Sequence, residues 1–469
     1  MFKKLNPFAL FVIFYLLIWE GLTLLIHSQT SISPDTAQNI MWGLHPSLMY
    51  DLHPGLGALF LKPFAMIFPP LLADVIAISL CMIVTWYYLY KLLRLFYSIE
   101  ESSLIAILSA LSFFYMWEFA IQYNQNIILM PFWCASSYFF VKSMIDNNTR
   151  DWVLLSLALV LGSYAKFQIG LLMLVMLGYL LFNFESKYLK NIILSFLIWI
   201  LLLIPGIISE YNIDFATVQY ALNSTSNKNI PILYKVLHAL ESMLQLVNFI
   251  IAFIVLIVLR VMKKISKQDG ILNKQNKAII VLGLVPYVIY ILLELKNGPM
   301  PIEWLVPTTT LTLPGIYTLL KLKSLNVNLR KIVCIGLVIN LIVFIMFNIK
   351  TFSGKHEEHN NIGDGVAIAA QTFLDANHLP APSYVSGFWK HAPYLSVFLK
   401  SHPRHTYNWQ TYKNTTSPVL LIFPGCQNID INADEYGYKL IKKGCENVKL
   451  TDKFSSEYEL FSFYFIEKK

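Results

Sequence analysis

The sequence predicts an α-helical polytopic membrane protein with a small α/β domain outside the membrane at its C-terminal end. Of the 469 residues, 56% are hydrophobic and only 14% are charged, whereas soluble domains average about 25% charged residues. Mean hydropathy is +0.55. Long hydrophobic runs recur up to residue 349, and the composition then turns polar. We therefore predict two domains, a membrane domain at 1–349 and an extracytoplasmic domain at 350–469.

The hydrophobic runs predict about eleven transmembrane helices, since a straight crossing needs about 20 apolar residues. The first run follows Lys3 and Lys4 but is long and leads into no small-residue cleavage site, so it predicts an uncleaved span. Several runs are short, so that their boundaries could move and two could be re-entrant. The candidates are 8–26, 71–93, 103–121, 126–145, 152–166, 168–184, 190–209, 244–262, 277–294, 303–321 and 331–349.

Basic residues predict the orientation of these spans. They cluster in alternate loops, on the same side as Lys3 and Lys4, and the positive-inside rule places that side in the cytoplasm. The N-terminus is then cytoplasmic, whereas loops 31–70 and 210–243 and the C-terminal domain are extracytoplasmic. The net charge of +8 is spread over these clusters, so we expect membrane lipids and no nucleic acid as partners. The clusters are Lys91/Arg94, Lys142/Arg150, Lys187/Lys190, 260–277 and 321–331.

Loop 31–70 holds an unusual number of ionisable residues directly after the first span, among them Asp35, Asp51 and His53. A segment facing lipid would not carry them, because an unpaired charge in hydrocarbon costs several kcal/mol or more. We therefore predict a loop at the membrane surface that builds a polar site.

This loop opens with the signature of a helix start. Ser33 can cap, Pro34 suits the first helical position, and Asp35 and Thr36 fall in the first turn, where the helix dipole favours an anion. Two roles for Asp35 therefore stay open: a carboxylate that only stabilises the helix, and a catalytic carboxylate.

Two stretches of this loop resemble the first extracytoplasmic loop of bacterial GT-C-type membrane glycosyltransferases, the superfamily of protein mannosyltransferases and lipid A aminoarabinose transferases. They are Asp35-Thr36-Ala37-Gln38 and Met49-Tyr50-Asp51-Leu52-His53-Pro54-Gly55. Members usually show an Asp-Glu pair opening a short helix, and then Tyr-Tyr-Asp-His-Pro-Pro or Lys-Pro-Pro. Here Thr36 replaces the Glu, Leu52 separates Asp51 from His53, and Gly55 replaces the second Pro. The match at Asp35 survives these departures, whereas that at Asp51 is less direct.

Three further positions resemble this superfamily. The segment around Lys166 is similar to a Ser-Lys-Tyr or Thr-Lys segment between the fifth and sixth spans, and Glu303-Trp304 is similar to a His-Trp or Glu-Trp pair. Asn126 stands where relatives often carry an Asp, so the usual second acid is missing or supplied elsewhere. A lone outer Lys can bind a polyprenyl phosphate or snorkel to lipid headgroups. Glu303 can bind sugar or acceptor, or belong with Trp304 to an interfacial anchor.

The polar C-terminal region carries short apolar runs that suit a small α/β domain. The runs 419–423 and 460–466 favour strands, and the run 366–373 favours a helix. Two cysteines of this region, Cys426 and Cys445, could pair if it lies outside the cytoplasm. Segments 386–390 and 394–399 resemble the tail domain of the same transferases.

The resemblance implies a GT-C-like fold and an inverting glycosyltransferase at the outer face of the bacterial inner membrane. Its donor would be a polyprenyl-phosphate sugar, and its acceptor a hydroxyl or phosphate on a cell-envelope glycolipid, a polysaccharide or a protein. Asp35 would be the catalytic base. The candidate substrate-binding residues are Asp51, His53, Lys166, Glu303 and Asn126.

The sequence implies no cofactor, because the lipid-linked donor is a substrate. It has neither a glycine-rich phosphate loop nor an Asp-x-Asp nucleotide-sugar motif, as expected for a lipid-linked donor. No Cys/His spacing predicts a structural zinc site, and the need for a divalent metal stays open, since no acidic pair has a fixed metal-binding spacing.

Two other classes of protein share some of these features. A transporter or lipid flippase would also be polytopic with intramembrane charges, but the interrupted spans or internal repeats of transporters are not evident in this sequence. A non-catalytic member of the superfamily would explain Thr36 and Asn126. Consumption of a polyprenyl-phosphate sugar separates a transferase from both.

Overall fold

The computed structural model describes residues 6–116, 122–224, 230–267, 274–325, 327–349, 364–388, 390–405, 418–426, 431–449 and 458–468. Helices dominate up to Phe347, and a mixed sheet with two helices follows. The predicted domain boundary at 350 falls in 350–363, outside the described residues. In chain order the helices are α1 (Pro7–Ile26), α2 (Pro34–Leu44), α3 (Leu56–Ile67), α4 (Pro70–Leu93), α5 (Ile99–Ala110), α6 (Gln125–Asp146), α7 (Thr149–Ala165), α8 (Ile169–Phe182), α9 (Leu189–Tyr211), α10 (Ala216–Ser224), α11 (Ile232–Leu244), α12 (Ile250–Val261), α13 (Lys274–Asn297), α14 (Val306–Thr309), α15 (Thr312–Leu319), α16 (Leu329–Phe347), α17 (Gly365–Ala376) and α18 (Ala392–Phe398).

Seven helical segments among the described residues are long and apolar enough to cross a membrane: α1, α4, α6, α9 with its preceding turn, α11 with α12, α13 and α16. Helices α5, α7 and α8 match other predicted spans but are shorter, and the predicted span 303–321 is broken between α14 and α15. The prediction of a polytopic helical protein is confirmed, whereas the count of eleven spans stays a prediction.

The membrane domain packs around aromatic side chains. Tyr15 of α1 meets Trp86 of α4 edge-on, with ring centroids 4.7 Å apart, and Trp19 Nε1 donates a hydrogen bond of 2.9 Å to Asn340 Oδ1 of α16. The outer faces are apolar as well; Leu201 and Ile207 of α9 are more than half exposed. A soluble protein rarely exposes a large apolar surface of this kind, whereas lipid would cover it.

The C-terminal region forms a five-stranded sheet in the order β4-β3-β5-β7-β6. Strand β3 pairs in parallel with β4 and β5, whereas β7 runs antiparallel to β5 and β6. Helices α17 and α18 pack against the sheet through one apolar core. The predicted helix at 366–373 and the strands at 419–423 and 460–466 are confirmed. The strands are β3 (Tyr384–Gly387), β4 (Arg404–His405), β5 (Val419–Pro424), β6 (Tyr438–Lys449) and β7 (Tyr458–Lys468), and the membrane domain adds a small pair of β1 (Ile265–Lys267) and β2 (Leu322–Ser324).

Candidate active site

Helix α2 begins as the sequence predicts and places Asp35 in its first turn. The Ser33 side chain accepts a hydrogen bond from the Thr36 backbone N–H at 3.1 Å, and Pro34 occupies the first helical position. Asp35 is half-buried, and its backbone carbonyl accepts a hydrogen bond of 2.9 Å from Asn39 Nδ2. This arrangement would stabilise a helix whatever the carboxylate does, so the role of Asp35 depends on its neighbours.

A buried carboxylate that the sequence analysis missed, Asp74 of α4, anchors this first turn. Asp74 Oδ1 accepts hydrogen bonds from Thr36 Oγ1 at 2.7 Å and from the Tyr123 backbone N–H at 3.0 Å. The Asp74 side chain is almost fully buried. Thr36, which stands where relatives usually carry Glu, thus ties the start of α2 to α4. A lone acidic residue in an apolar span was the sequence signal for Asp74.

The chain between α2 and α3 folds into a tight hairpin. The Gly55 N–H bonds to the Leu48 carbonyl at 2.8 Å, and the Tyr50 N–H bonds to the His53 carbonyl at 3.1 Å. The Tyr50 ring stacks on Trp42 of α2 at a centroid distance of 4.9 Å, and its hydroxyl donates to the Trp42 carbonyl. These contacts fix the hairpin on α2.

The hairpin presents His53 between two aromatic rings. His53 meets Trp42 and Tyr220 edge-on, at centroid distances of 6.1 and 5.5 Å. Burial, with a smaller effect of nearby Lys166, lowers the pKa of His53 to about 3. The imidazole is therefore neutral at pH 7.

Asp51 lies at the tip of the same hairpin, and it is not among the residues that line the cavity beside His53. It is half-buried, and burial raises the pKa of its carboxyl above the usual range. Of the six predicted site residues, Asp51 is the one for which the described residues offer no link to the others.

Lys166 lies among the remaining predicted site residues, Asp35, Asn126 and Glu303. It follows α7 in extended backbone, its side chain is buried, and its Nζ donates a hydrogen bond of 2.6 Å to Asn126 Oδ1. The same ammonium lies 4.8 Å from the centroid of the Trp304 ring, a cation–π distance. Asp35 and Glu303 act on it electrostatically. The structure thus brings Asp35, Asn126 and Glu303 around one buried cation.

Lys166 and His53 line a cavity of about 240 Å³. Its walls come from the hairpin, the α7–α8 connection, α10, α13 and the residues before α14, and are mostly apolar, with Leu171, Leu293 and Met300 among them. Helix α10, from the 210–243 segment, contributes Thr217 and Tyr220. A cation at one place in an apolar cavity suits an anionic group attached to a long hydrocarbon chain.

Trp304 contacts the cavity and Lys166, which membrane anchoring alone would not require. Its ring lines the cavity beneath the Lys166 ammonium, and its backbone carbonyl accepts a hydrogen bond from Gln168 Nε2. Glu303 is half-buried beside it and does not line this cavity.

A resident metal is not evident in the part of the chain that the structure describes. No three His, Cys, Asp or Glu side chains there come close enough together to hold a metal ion. The expectation of a chain without a resident cofactor stays a prediction.

A protein family and two solved structures are similar to this chain. The model of the family "Dolichyl-phosphate-mannose-protein mannosyltransferase" matches residues 52–208, a stretch that contains His53, Asn126 and Lys166. Crystal structures of ArnT from Cupriavidus metallidurans superpose over 97% of both chains at 12% identity, with TM-scores of 0.59 for the apo state and 0.58 for the state bound to undecaprenyl phosphate. A search of curated proteins finds no match. The predicted resemblance to GT-C-type membrane glycosyltransferases, with their fold, is confirmed.

Proposed function

We propose that this protein transfers a sugar from a polyprenyl-phosphate donor to an acceptor at the outer face of the bacterial inner membrane. The observation that carries the proposal is the Lys166 ammonium, buried at the wall of an apolar cavity with Asp35 acting on it electrostatically. The family match and the likeness to a transferase structure holding undecaprenyl phosphate support the same class of donor.

The donor would bind through its two chemically different ends. The apolar walls, with Leu171 and Leu293, suit a prenyl chain, whereas Lys166 and the neutral His53 suit the phosphate. Burying an ammonium in a low-dielectric site is costly, and an anionic ligand offsets that cost. Asn126 holds the Lys166 side chain toward this position.

The proposed chemistry is a direct displacement at the anomeric carbon. The acceptor oxygen forms a bond to that carbon, the bond from the carbon to the phosphate oxygen breaks, and Asp35 takes the acceptor proton. Such a positioned base typically contributes about 10²–10⁴-fold. The leaving phosphate gains negative charge, which Lys166 stabilises, and Glu303 and Asp51 are candidates for contacts with the sugar or acceptor. One displacement inverts the anomeric centre.

The acceptor class rests on the resemblance. A hydroxyl or phosphate on a cell-envelope glycolipid or polysaccharide fits bacterial relatives better than a protein hydroxyl, and the transferred group is a hexose or a pentose. The charge pattern of the loops predicts a site outside the cytoplasm, where lipid-linked donors are the accessible sugar source.

The test is the substitution Asp35→Asn. Membranes carrying the wild-type chain should consume a polyprenyl-phosphate sugar, whereas the Asp35→Asn variant should lose turnover by at least about 10²-fold while still binding the donor. The matched control is Asp375→Asn, an exposed carboxylate on α17 of the tail, which should leave turnover unchanged. Turnover retained in Asp35→Asn removes Asp35 from the base role, and a wild-type chain that moves donor lipid without consuming it is a flippase.

A further inference from the structure

The C-terminal domain lies along helix α2 from one end to the other. At the start, the Tyr394 hydroxyl of α18 donates a hydrogen bond of 2.6 Å to the Ile32 carbonyl, directly before the Ser33 cap. In the last turn of the helix, Val397 packs on the cluster that contains Trp42. At the end, His402 and Arg404 act electrostatically on His45.

Tyr394 is the most deeply placed of these residues. Its side chain is 1% exposed and belongs to the core of the membrane domain rather than to that of its own sheet. Burial, followed by the nearby carboxylates Asp35 and Asp74, raises the pKa of the Tyr394 hydroxyl well above its ordinary value. The hydroxyl therefore keeps its proton and acts as a donor throughout the physiological range.

The first turn of α2 is thus held from two sides. Asp74 holds Thr36 from within the membrane domain, and Tyr394 holds the Ile32 carbonyl from the C-terminal domain. Asp35 lies between these two attachments in sequence. A side chain can hold a catalytic geometry only if the backbone that carries it is fixed.

We propose that Tyr394 is a positioning residue for Asp35, so that the C-terminal domain completes the active site by fixing the first turn of α2. The proposal rests on the proposed function, in which Asp35 is the base. It gives the C-terminal domain a specific task, since the Tyr394 hydroxyl of that domain donates a hydrogen bond to the Ile32 carbonyl of the membrane domain.

The test is Tyr394→Phe, which removes the hydroxyl and keeps the ring. The matched control is Tyr384→Phe, another buried tyrosine of the same domain that packs in a separate core on the sheet. Two readouts are needed: hydrogen exchange of the amides in 33–44, and kcat and KM for the polyprenyl-phosphate sugar. If Tyr394→Phe does not accumulate, Val397→Ala, which weakens the packing of α18 on the Trp42 cluster of α2, takes its place.

We expect Tyr394→Phe to exchange the amides of 33–44 about tenfold faster and to lower kcat by about tenfold or more, as small displacements of a catalytic group do. The KM for donor should stay within about twofold, because Lys166 and the cavity are untouched. Tyr384→Phe should change neither readout.

Three results overturn the proposal: wild-type exchange in Tyr394→Phe, faster exchange with unchanged kcat, or the same losses in Tyr384→Phe. The first result would show that the Tyr394 hydroxyl does not hold the first turn of α2. The second would show that this attachment has no effect on Asp35. The third would show that the losses come from general loosening of the C-terminal domain. Failure of the proposed function gives a different result, because the wild-type protein itself would then consume no donor.

Discussion

A single buried cation distinguishes this site from ordinary membrane packing. Lys166 is buried and forms no direct salt bridge with any residue that the structure describes, unlike Lys142, which pairs with Asp146 and Asp151. It contacts the Asn126 amide oxygen and the Trp304 ring. These partners orient the Lys166 side chain without forming an ion pair with it, and an anionic ligand would offset the cost of burying its charge.

Replacing this cation should therefore weaken donor binding. Lys166→Met keeps the length and apolar stem of the side chain but removes the charge. A hydrogen bond to a charged group contributes about 1.5–3 kcal/mol, so the affinity for a polyprenyl-phosphate sugar should fall roughly 10- to 100-fold. Isothermal titration calorimetry or fluorescence titration of the purified protein measures this affinity. Lys187→Met, at an exposed lysine paired with Glu185, is the control, and equal affinities in the two variants would contradict the assignment.

The residues that sequence reasoning found and missed differ in a physical way. Asp35 and Lys166 could be predicted because their charges stand out in the sequence. Asp35 is a carboxylate at the membrane surface, and Lys166 is a cation on the side of the membrane that is poor in positive charge. Asp74 carries a signal of its own, as a lone acidic residue in an apolar span, but its partner, the Thr36 hydroxyl, cannot be read from the sequence. Tyr394 carries no such signal, because its role exists only through the distant Ile32 carbonyl. Asp51 matches the motif less directly and is not among the residues that line the cavity, so its role stays a prediction.

At the scale of the element, the hairpin between α2 and α3 depends on close backbone approach. A Cβ added at Gly55 would lie 2.1 Å from the Ser47 carbonyl oxygen and 3.0 Å from Leu48 backbone atoms. Backbone atoms cannot move aside cheaply, so the two arms of the hairpin come this close only with glycine at position 55.

Gly55→Ala should open the hairpin and displace His53. Overpacking of this kind costs about 1–3 kcal/mol, so both the unfolding temperature and donor turnover should fall. Gly170→Ala in α8 is the matched control, because a Cβ there meets nothing within 4 Å and alanine favours a helix. Thermal unfolding in detergent and the turnover assay check both variants. A Gly55→Ala protein as stable and active as Gly170→Ala would show that the hairpin tolerates the opening.

The helices show which spans hydropathy predicts correctly. The runs 71–93 and 126–145 predicted α4 and α6 to within a few residues, because long apolar segments of this kind form helices. The run 303–321 is less hydrophobic than these two, with several threonines at its middle, and it breaks between Thr309 and Thr312. At its start, Trp304 lines the cavity beside Lys166 and Glu303 acts on Lys166 electrostatically, and composition encodes neither interaction.

At the scale of the whole molecule, the orientation in the membrane decides which substrates can reach the site. Basic loops predict that α2, the hairpin and the C-terminal domain share the outer side. Contacts between Tyr394 and Ile32, and between Thr30 and Asp364, place the first loop and the C-terminal domain against each other. Whatever side one of them occupies, the other occupies too.

The disulfide of the C-terminal domain offers a direct test of that side. Cys426 after β5 and Cys445 in β6 are paired, with Cα atoms 5.6 Å apart, and such bonds persist in oxidising compartments outside the cytoplasm. In Cys426→Ala, Cys445 becomes a free thiol at an exposed position. A membrane-impermeant maleimide should label it in intact spheroplasts, whereas the wild-type pair should react only after reduction; the buried Cys81 and Cys134 should stay unlabelled in both. Labelling of Cys445 only after permeabilisation would place the C-terminal domain, and with it Asp35, in the cytoplasm, where the proposed outer-face transfer cannot occur.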